Sequence, residues 1–203
     1  MKNLRFVEEN MLKTYEENAQ EFDRQRSKNL FEEKWLNKFS ELIGPSGEVL
    51  DIGCGAGEPI AKYFIEKGFS ITGADFSSEM IKIARKRFPK QSWIIEDMRT
   101  LNLKREFDGL IAWNSFFHLN QEDQRKAIPL FCKLVKDEGV LMMTVGPEEG
   151  EVLGKVNNCD VYHSSLSEKE YRSIFEKMNF DIIEFMANDS ECNGHSILLA
   201  KKR

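Results

Sequence analysis

Three glycines at alternate positions, Gly53, Gly55 and Gly57, follow a short apolar run in the stretch E-V-L-D-I-G-C-G-A-G, Glu48 to Gly57. Glycines spaced this closely serve a backbone that must take positive φ, or that lies against a ligand with no Cβ in the way. The amphipathic segment Ile60 to Glu66 comes next, so the order reads strand, tight loop, helix. A helix starting beyond such a loop offers unpaired N–H groups and a partial positive charge, which favours an anionic ligand group. Spacing separates the ligand classes. A dinucleotide fingerprint needs G-x-G-x-x-G, but here the third glycine comes one residue early and Glu58 holds the place reserved for it. Asp51 stands inside the strand, where an apolar residue would be the ordinary choice.

More residues with chemical potential fall at strand ends. Phe69 to Ala74 alternates as a strand and runs into Asp75. A carboxylate there, about twenty residues past a glycine loop, can accept hydrogen bonds from both hydroxyls of a ribose. An isolated Asp can instead cap a helix, a service that Ser77 and Ser78 also offer. Phe76 and Met80 suit either an adenine face or the core. A third strand, Ser92 to Ile95, precedes Glu96-Asp97-Met98, and a fourth, Phe107 to Trp113, precedes N-S-F-F-H-L. Ligands of open α/β sheets bind at strand carboxyl ends, which places Trp113, Asn114, Ser115 and His118 well. His118 reads as a catalyst or as a satisfied structural histidine. The segment Gly146 to Ser165 reads as a long loop, with Tyr162 and His163 as candidate substrate contacts and His163 as a candidate base.

The elements that position these residues follow from periodicity. Residues 1 to 43 are charged and helical in pattern. Tyr15, Ala19 and Phe22 share one helical face, and Asn29 with Glu32 offers a capping box. Trp35, Leu36, Phe39, Leu42 and Ile43 then form one apolar stripe ended by Gly44-Pro45. A helix runs from Asn120 to Val135, a turn at Asp137-Glu138-Gly139 follows, and Val140 to Val145 is a fifth buried strand. Ser167 and Glu170 open another helix, and Phe180 to Met186 with His195 to Ala200 make a terminal hairpin. Edge packing is the expected role of His195, and the basic run Lys82 to Lys90 is expected to end a helix and solvate an exposed face.

The segment carrying Asp51, Gly53, Gly55 and Gly57 resembles motif I of the class I S-adenosylmethionine-dependent methyltransferases, small-molecule type. Y-E-E-N-A-Q-E-F, Tyr15 to Phe22, is similar to the segment that precedes motif I in many of them, where an N-terminal helix closes over the cofactor. Glu96-Asp97-Met98 and the run from Trp113 resemble later motifs, so the likeness covers about residues 15 to 200. It implies an α/β fold: a three-layer α/β/α sandwich with a Rossmann-like, seven-stranded, mostly parallel sheet and one antiparallel strand in its terminal hairpin. It implies one domain over 1–203, with helices 1–43 as a partial lid on a core of 44–203. It implies S-adenosylmethionine as cofactor, held by Asp51, Gly53, Cys54, Gly55, Gly57, Asp75, Phe76, Met80, Asp97, Met98, Asn114 and Tyr15. His118, Tyr162 and His163 would then border the methyl acceptor.

Composition narrows the acceptor. The 203 residues carry a formal charge of −5 and a pI near 5.4, which disfavours a nucleic-acid substrate, and no target-recognition domain is evident. A small-molecule acceptor is expected, ahead of RNA or protein. A non-catalytic S-adenosylmethionine-binding module and a NAD-binding oxidoreductase are the competitors from other classes. Cys54, Cys132, Cys159 and Cys192 have neither zinc nor disulfide-framework spacing, so no metal is expected. The acidic N-terminus and the lack of an apolar span predict a cytoplasmic chain with no membrane contact. Oligomeric state is not written in the sequence.

Overall fold

The structure, a computed structural model, describes residues 4–156 and 159–203. The first three residues of the expected helical stretch, and the two in the middle of the expected loop 146–165, lie outside the described residues.

Seven strands form one sheet: β1 (Glu48–Ile52), β2 (Ser70–Asp75), β3 (Ser92–Ile95), β4 (Phe107–Ala112), β5 (Val135–Val145), β8 (Phe180–Asp189) and β9 (His195–Lys202). Their order is β3-β2-β1-β4-β5-β9-β8. The first five run parallel, and β9 lies antiparallel between β5 and β8. Strand alternation sends two sets of side chains to opposite faces. Leu50, Leu110, Leu141 and Leu198 pack on α6 (Gln121–Lys133) and α7 (Glu168–Lys177) through Phe131, Tyr171 and Phe175. Val49, Ile111, Met142 and Leu199 pack on α3 (Glu33–Ile43), α4 (Ile60–Glu66) and α5 (Ser78–Arg87) through Trp35, Phe39, Phe64 and Ile81. The result is a three-layer sandwich.

From β1 the chain steps to β2 and β3 on one side, and later to β4 and β5 on the other. The loops after β1 and β4 therefore part at the carboxyl end of the sheet and leave a crevice between them. Two further helices cover it: α1 (Leu4–Glu9), packed on the strand Cys159–Ser165, and α2 (Met11–Gln25), packed on α5. Periodicity explains α2: Ala19 and Phe22 meet Ala56 and Met80, with Tyr15 on the same face.

Several expectations need correction. Residues 146–165 are not a loop. They contain β6 (Gly150–Val156) and β7 (Cys159–Ser165), paired antiparallel with Val152 opposite His163. The Gly-Pro-Glu-Glu opening masks two pieces that are β-rich by composition, with Val152, Val156 and Val161 among them. β5 begins at Val135, and Glu138 at φ +64° forms a bulge inside the strand where a turn was expected. Glu32 forms no capping box because its carboxylate accepts from Arg26 Nη2 at 2.8 Å. The basic run is not all solvated surface: Arg85 donates to the Trp93 carbonyl and Arg87 to Asp23 and the Ala56 carbonyl. No helix among the described residues is long and apolar enough to cross a membrane.

Close packing between layers makes Gly73 indispensable, since a Cβ there would lie 2.3 Å from the Trp93 ring. Gly73→Ala is expected to cost about 1–3 kcal/mol, seen as a lower urea midpoint with an unchanged slope.

Candidate functional site

The glycine loop is built against two neighbours. Gly53, Gly55 and Gly57 take φ of +70°, +53° and +82°. A Cβ on Gly53 would lie 2.2 Å from that of Ser115, whose hydroxyl donates to the Ile52 carbonyl at 2.7 Å. On the other side Asp75, at the tip of β2, accepts from Gly55 N–H through Oδ2 and from Ser77 N–H through Oδ1, both at 2.8 Å. One carboxylate thus ties the loop to the start of α5. Burial raises its carboxyl to about 6, against the pull of those two N–H groups.

Asp51, 2% exposed, sits below the loop with Oδ2 unpartnered. Burial raises it to about 7, and the Asp75 charge adds to the effect. Trp113 Nε1, Asn114 Oδ1 and His163 Nε2 are also buried without partners. All four residues wall a single cavity of about 850 Å³ between the glycine loop, the residues after β4 and the β6–β7 hairpin. Buried polar atoms normally have partners, so four orphans on residues that wall one cavity are unusual and ask for a polar partner there. A second cavity of about 220 Å³ lies between Asp75, Phe76, Asp97 and Met98. Tyr15, Gly53, Gly55, Met80, Asn114 and His118 wall both.

At that shared wall the Tyr15 hydroxyl meets His118 Nε2 at 2.8 Å, and His118 Nδ1 meets the Tyr162 carbonyl at 2.8 Å. A carbonyl only accepts, so Nδ1 carries the proton, and Nε2 accepts from Tyr15. Burial lowers His118 to about 3, outweighing the bond to the Tyr162 carbonyl. The ring is held neutral in one tautomer. Burial also raises the Tyr15 phenol above its ordinary value. Tyr15, Phe117 and His163 enclose His118, with centroids 5.5, 4.8 and 5.0 Å away.

Comparison with known proteins agrees with this architecture. The family described as "Methyltransferase domain" matches residues 49–139. These residues are thus similar to a methyltransferase domain, and the sheet order is that of the class I methyltransferases. S-adenosylmethionine is the cofactor of that class. A putative methyltransferase of Bacillus subtilis, YqeM, is 29% identical over 119 residues, which are 56% of this chain and 48% of that protein. Rat glycine N-methyltransferase is 32% identical over 114 residues, 47% of this chain and 39% of that one. The chain thus spans about half the length or less of these curated relatives. Among solved structures, the magnesium protoporphyrin IX methyltransferase of Synechocystis with bound S-adenosylmethionine aligns with a TM-score of 0.72, 16% identity and 97% of each chain covered. An amino pentose methyltransferase of Micromonospora echinaspora gives 0.70 at 16% identity, over 92% of this chain and 96% of that one.

Within the methyltransferase fold, the structure brings Asp51, Gly53, Gly55, Asp75, Phe76, Met80, Asp97, Met98, Asn114 and Tyr15 to the two cavities. Asp97 reaches the smaller one already paired to Arg99. Gly57 itself lines neither, though Ala56 and Glu58 on either side line the larger one, and its missing Cβ makes room for Trp93, 2.9 Å from the place it would take. Cys54 borders the larger cavity, but its sulfur fills the space beside Gly73, and burial holds the thiol well above its usual range. Tyr162 corrects the sequence reading: its ring is buried against Val7 and Met11, its hydroxyl donates to Glu151, and only its carbonyl serves the site. His118 is likewise poorly suited as a base, since both nitrogens are engaged and the ring resists protonation.

Sequence reasoning missed Glu16 and Arg26. Glu16 accepts from the Ser77 and Ser78 hydroxyls at 2.6 and 2.5 Å, which pulls its carboxyl below the usual range. Arg26 walls the larger cavity just past α2. Neither position stands out among the many charges of the N-terminal stretch.

Asp51 yields a signed prediction. Its folded value of about 7 lies above the ordinary aspartate value of 3.8, so the unliganded protein loses stability as pH rises from about 4 to 7. Asp51→Asn removes this loss. Its melting temperature should exceed that of the unchanged protein by a margin that grows over that range and is flat above it.

Proposed function

We propose that the chain transfers a methyl group from S-adenosylmethionine to a small-molecule acceptor, with cofactor and acceptor in the two cavities that meet at Tyr15 and His118. The carrying observation is the pair of cavities sharing the glycine loop as a wall, one bordered by a ribose-type carboxylate and the other by an unpaired buried one. The orphaned Asp51 oxygen and the cradle in which Ser115 leaves no room for a Gly53 side chain fit a zwitterionic, nucleoside-bearing ligand.

In this reading Asp75 keeps spare lone pairs for the ribose hydroxyls, Phe76 and Met98 border the adenine, and Asp97 accepts its amino group. Asp51 receives the ammonium of the methionine end and Arg26 its carboxylate. Bound there, S-adenosylmethionine supplies a sulfonium methyl already activated for in-line displacement. The protein's work is alignment and exclusion of water. Tyr15, its proton directed at His118, holds the junction of the cavities in one geometry, and the neutral His118 adds no positive charge beside a cationic cofactor. α1 and α2 act as a lid over a core that includes α3. Glu16 fastens the lid to Ser77 and Ser78, and Asp23 fastens it to Arg87 at 2.7 Å.

A small acceptor is supported by the volume of the larger cavity, about 850 Å³, by the charge of −5, and by similar proteins whose names specify glycine or an amino pentose as acceptor. Nothing in the site favours RNA, protein or NAD in its place.

Calorimetric titration tests the reading. S-adenosylmethionine and S-adenosylhomocysteine are expected to bind at micromolar concentration and NAD not to bind. Asp75→Ala should abolish binding, and binding of NAD alone would refute the assignment. Because the ammonium requires a charged Asp51, affinity should fall up to tenfold for each pH unit below about 7. The lid fastening predicts that Arg87→Ala combined with Glu16→Gln speeds S-adenosylhomocysteine dissociation at least fivefold in stopped-flow displacement, while the far-ultraviolet spectrum stays unchanged.

A further inference from the structure

The larger cavity has a marked imbalance of charge. Glu148, Glu149 and Glu151 line its mouth, apart from the floor carboxylate Asp51, which the proposed function gives to the cofactor's ammonium. Glu148 and Glu149 are exposed and form no salt bridge among the described residues; Arg125, whose charge reaches Glu149, is bonded to Glu170. Among the described residues the Glu151 carboxylate accepts from the Tyr162 hydroxyl alone. Arg26 is, among the described residues, the one lysine or arginine in the wall, and it is bonded to Glu32. Burial lowers His118 and His163, so neither contributes positive charge at neutral pH. A cleft lined by one sign of charge concentrates ligands of the other sign.

Two orphaned atoms in the same wall refine the ligand. Trp113, 4% exposed, has an indole N–H with nothing to donate to. It asks for an oxygen on the ligand. His163 Nε2 is a free nitrogen on a ring clamped against Gly154, where a Cβ would lie 2.6 Å from Cε1, and beside Phe117, 4.6 Å between centroids. It is held in place and can accept a proton.

We propose that the methyl acceptor is a small amine, cationic in bulk solution, which the glutamate rim attracts, whose ammonium proton passes to His163 Nε2 and whose neighbouring oxygen accepts from Trp113. This deepens the proposed function and rests on it for the transfer step. The ammonium gives its proton to His163 and regains a lone pair. That pair forms the N–C bond as the C–S bond breaks with its electrons left on sulfur. The product is a methylated ammonium beside a neutral thioether, and His163 returns its proton to water. A carboxylate acceptor would meet the same glutamates as repulsion.

The test compares phenylalaninol, which has an amine and a hydroxyl, with its neutral isostere 3-phenylpropane-1,2-diol and with anionic 3-phenyllactate. The indole N–H resonance of Trp113, assigned with Trp113→Phe, reports binding with and without S-adenosylhomocysteine. The amine should bind at least tenfold more tightly than the diol, and the anion should leave the resonance unmoved. Glu148→Gln with Glu149→Gln, both exposed, should bring the amine down to the level of the diol. Equal binding of amine and diol, tighter binding of the anion, or binding of none overturns the proposal. With S-adenosylmethionine present, N-methylphenylalaninol should form, and His163→Gln should slow it about 10²-fold without loss of amine binding. Amine-selective binding with no affinity for S-adenosylmethionine would refute the methyl-transfer reading and leave the amine site standing. Transfer unaffected by His163→Gln would remove His163 as base.

Discussion

The Asp75 carboxylate holds the site together. Its two oxygens take the Gly55 and Ser77 amides, so the loop after β1 and the helix after β2 share one anchor. Charge-assisted bonds to backbone N–H groups are among the stronger ones a carboxylate can make. They orient a backbone that three positive-φ glycines would otherwise leave free to rearrange. Without this anchor, the loop would lose its register against Ser115, and the two cavities would lose their common wall. A ligand hydroxyl would add to bonds already in place, which is preorganisation in its simplest form.

A second chain of contacts runs across the crevice, from the Tyr15 hydroxyl through His118 to the Tyr162 carbonyl. It joins α2, the short turn after β4 and the β6–β7 hairpin, three elements far apart in sequence. Because the carbonyl dictates the tautomer, the hairpin backbone decides that Tyr15 donates. Glu16, next to Tyr15, fastens the same helix to α5. The helix that covers the crevice is held by polar contacts at its cofactor side and by Ala19 and Phe22 beneath. Polar fastenings over a modest apolar footing suit an element that must release.

Electrostatically, the site keeps negative charge where a fold would ordinarily avoid it. Asp51 and Asp75 both sit buried near one another, each pushed up in its protonation range, and Asp51 lacks any compensating donor on Oδ2. Such an arrangement costs stability in the empty protein and is relieved when a cation arrives. The β6–β7 hairpin adds acid at the cavity mouth and a histidine within. The second cavity is acidic too: Glu8, Glu9, Glu96, Asp97 and Asp123 line it with Asp75, and among the described residues Arg99 is the cation in its wall, bonded to Asp97 and near Asp123.

Sequence by itself determined the elements whose residues lie close together in the chain. The glycine loop, the Asp75 tip, the capping serines Ser77 and Ser167 and the alternation of β1, β4, β5 and β9 are local patterns, and local sterics and periodicity dictate them. The terminal hairpin was legible for the same reason. The hairpin at 150–165 was not, because its glycine- and glutamate-rich start resembles a loop until a partner strand pairs with it. Only the tertiary structure decided which way Tyr162 faces, that His118 is locked neutral, that Gly57 makes room for Trp93, and that Glu16 and Arg87 fasten α2. Each depends on a partner tens of residues away, and no spacing in one chain encodes which of many similar side chains folding will bring within 3 Å. The unpartnered Asp51 oxygen belongs to the same class. Its residue type is plain in the sequence, but an absence of partners exists only once everything else has been placed.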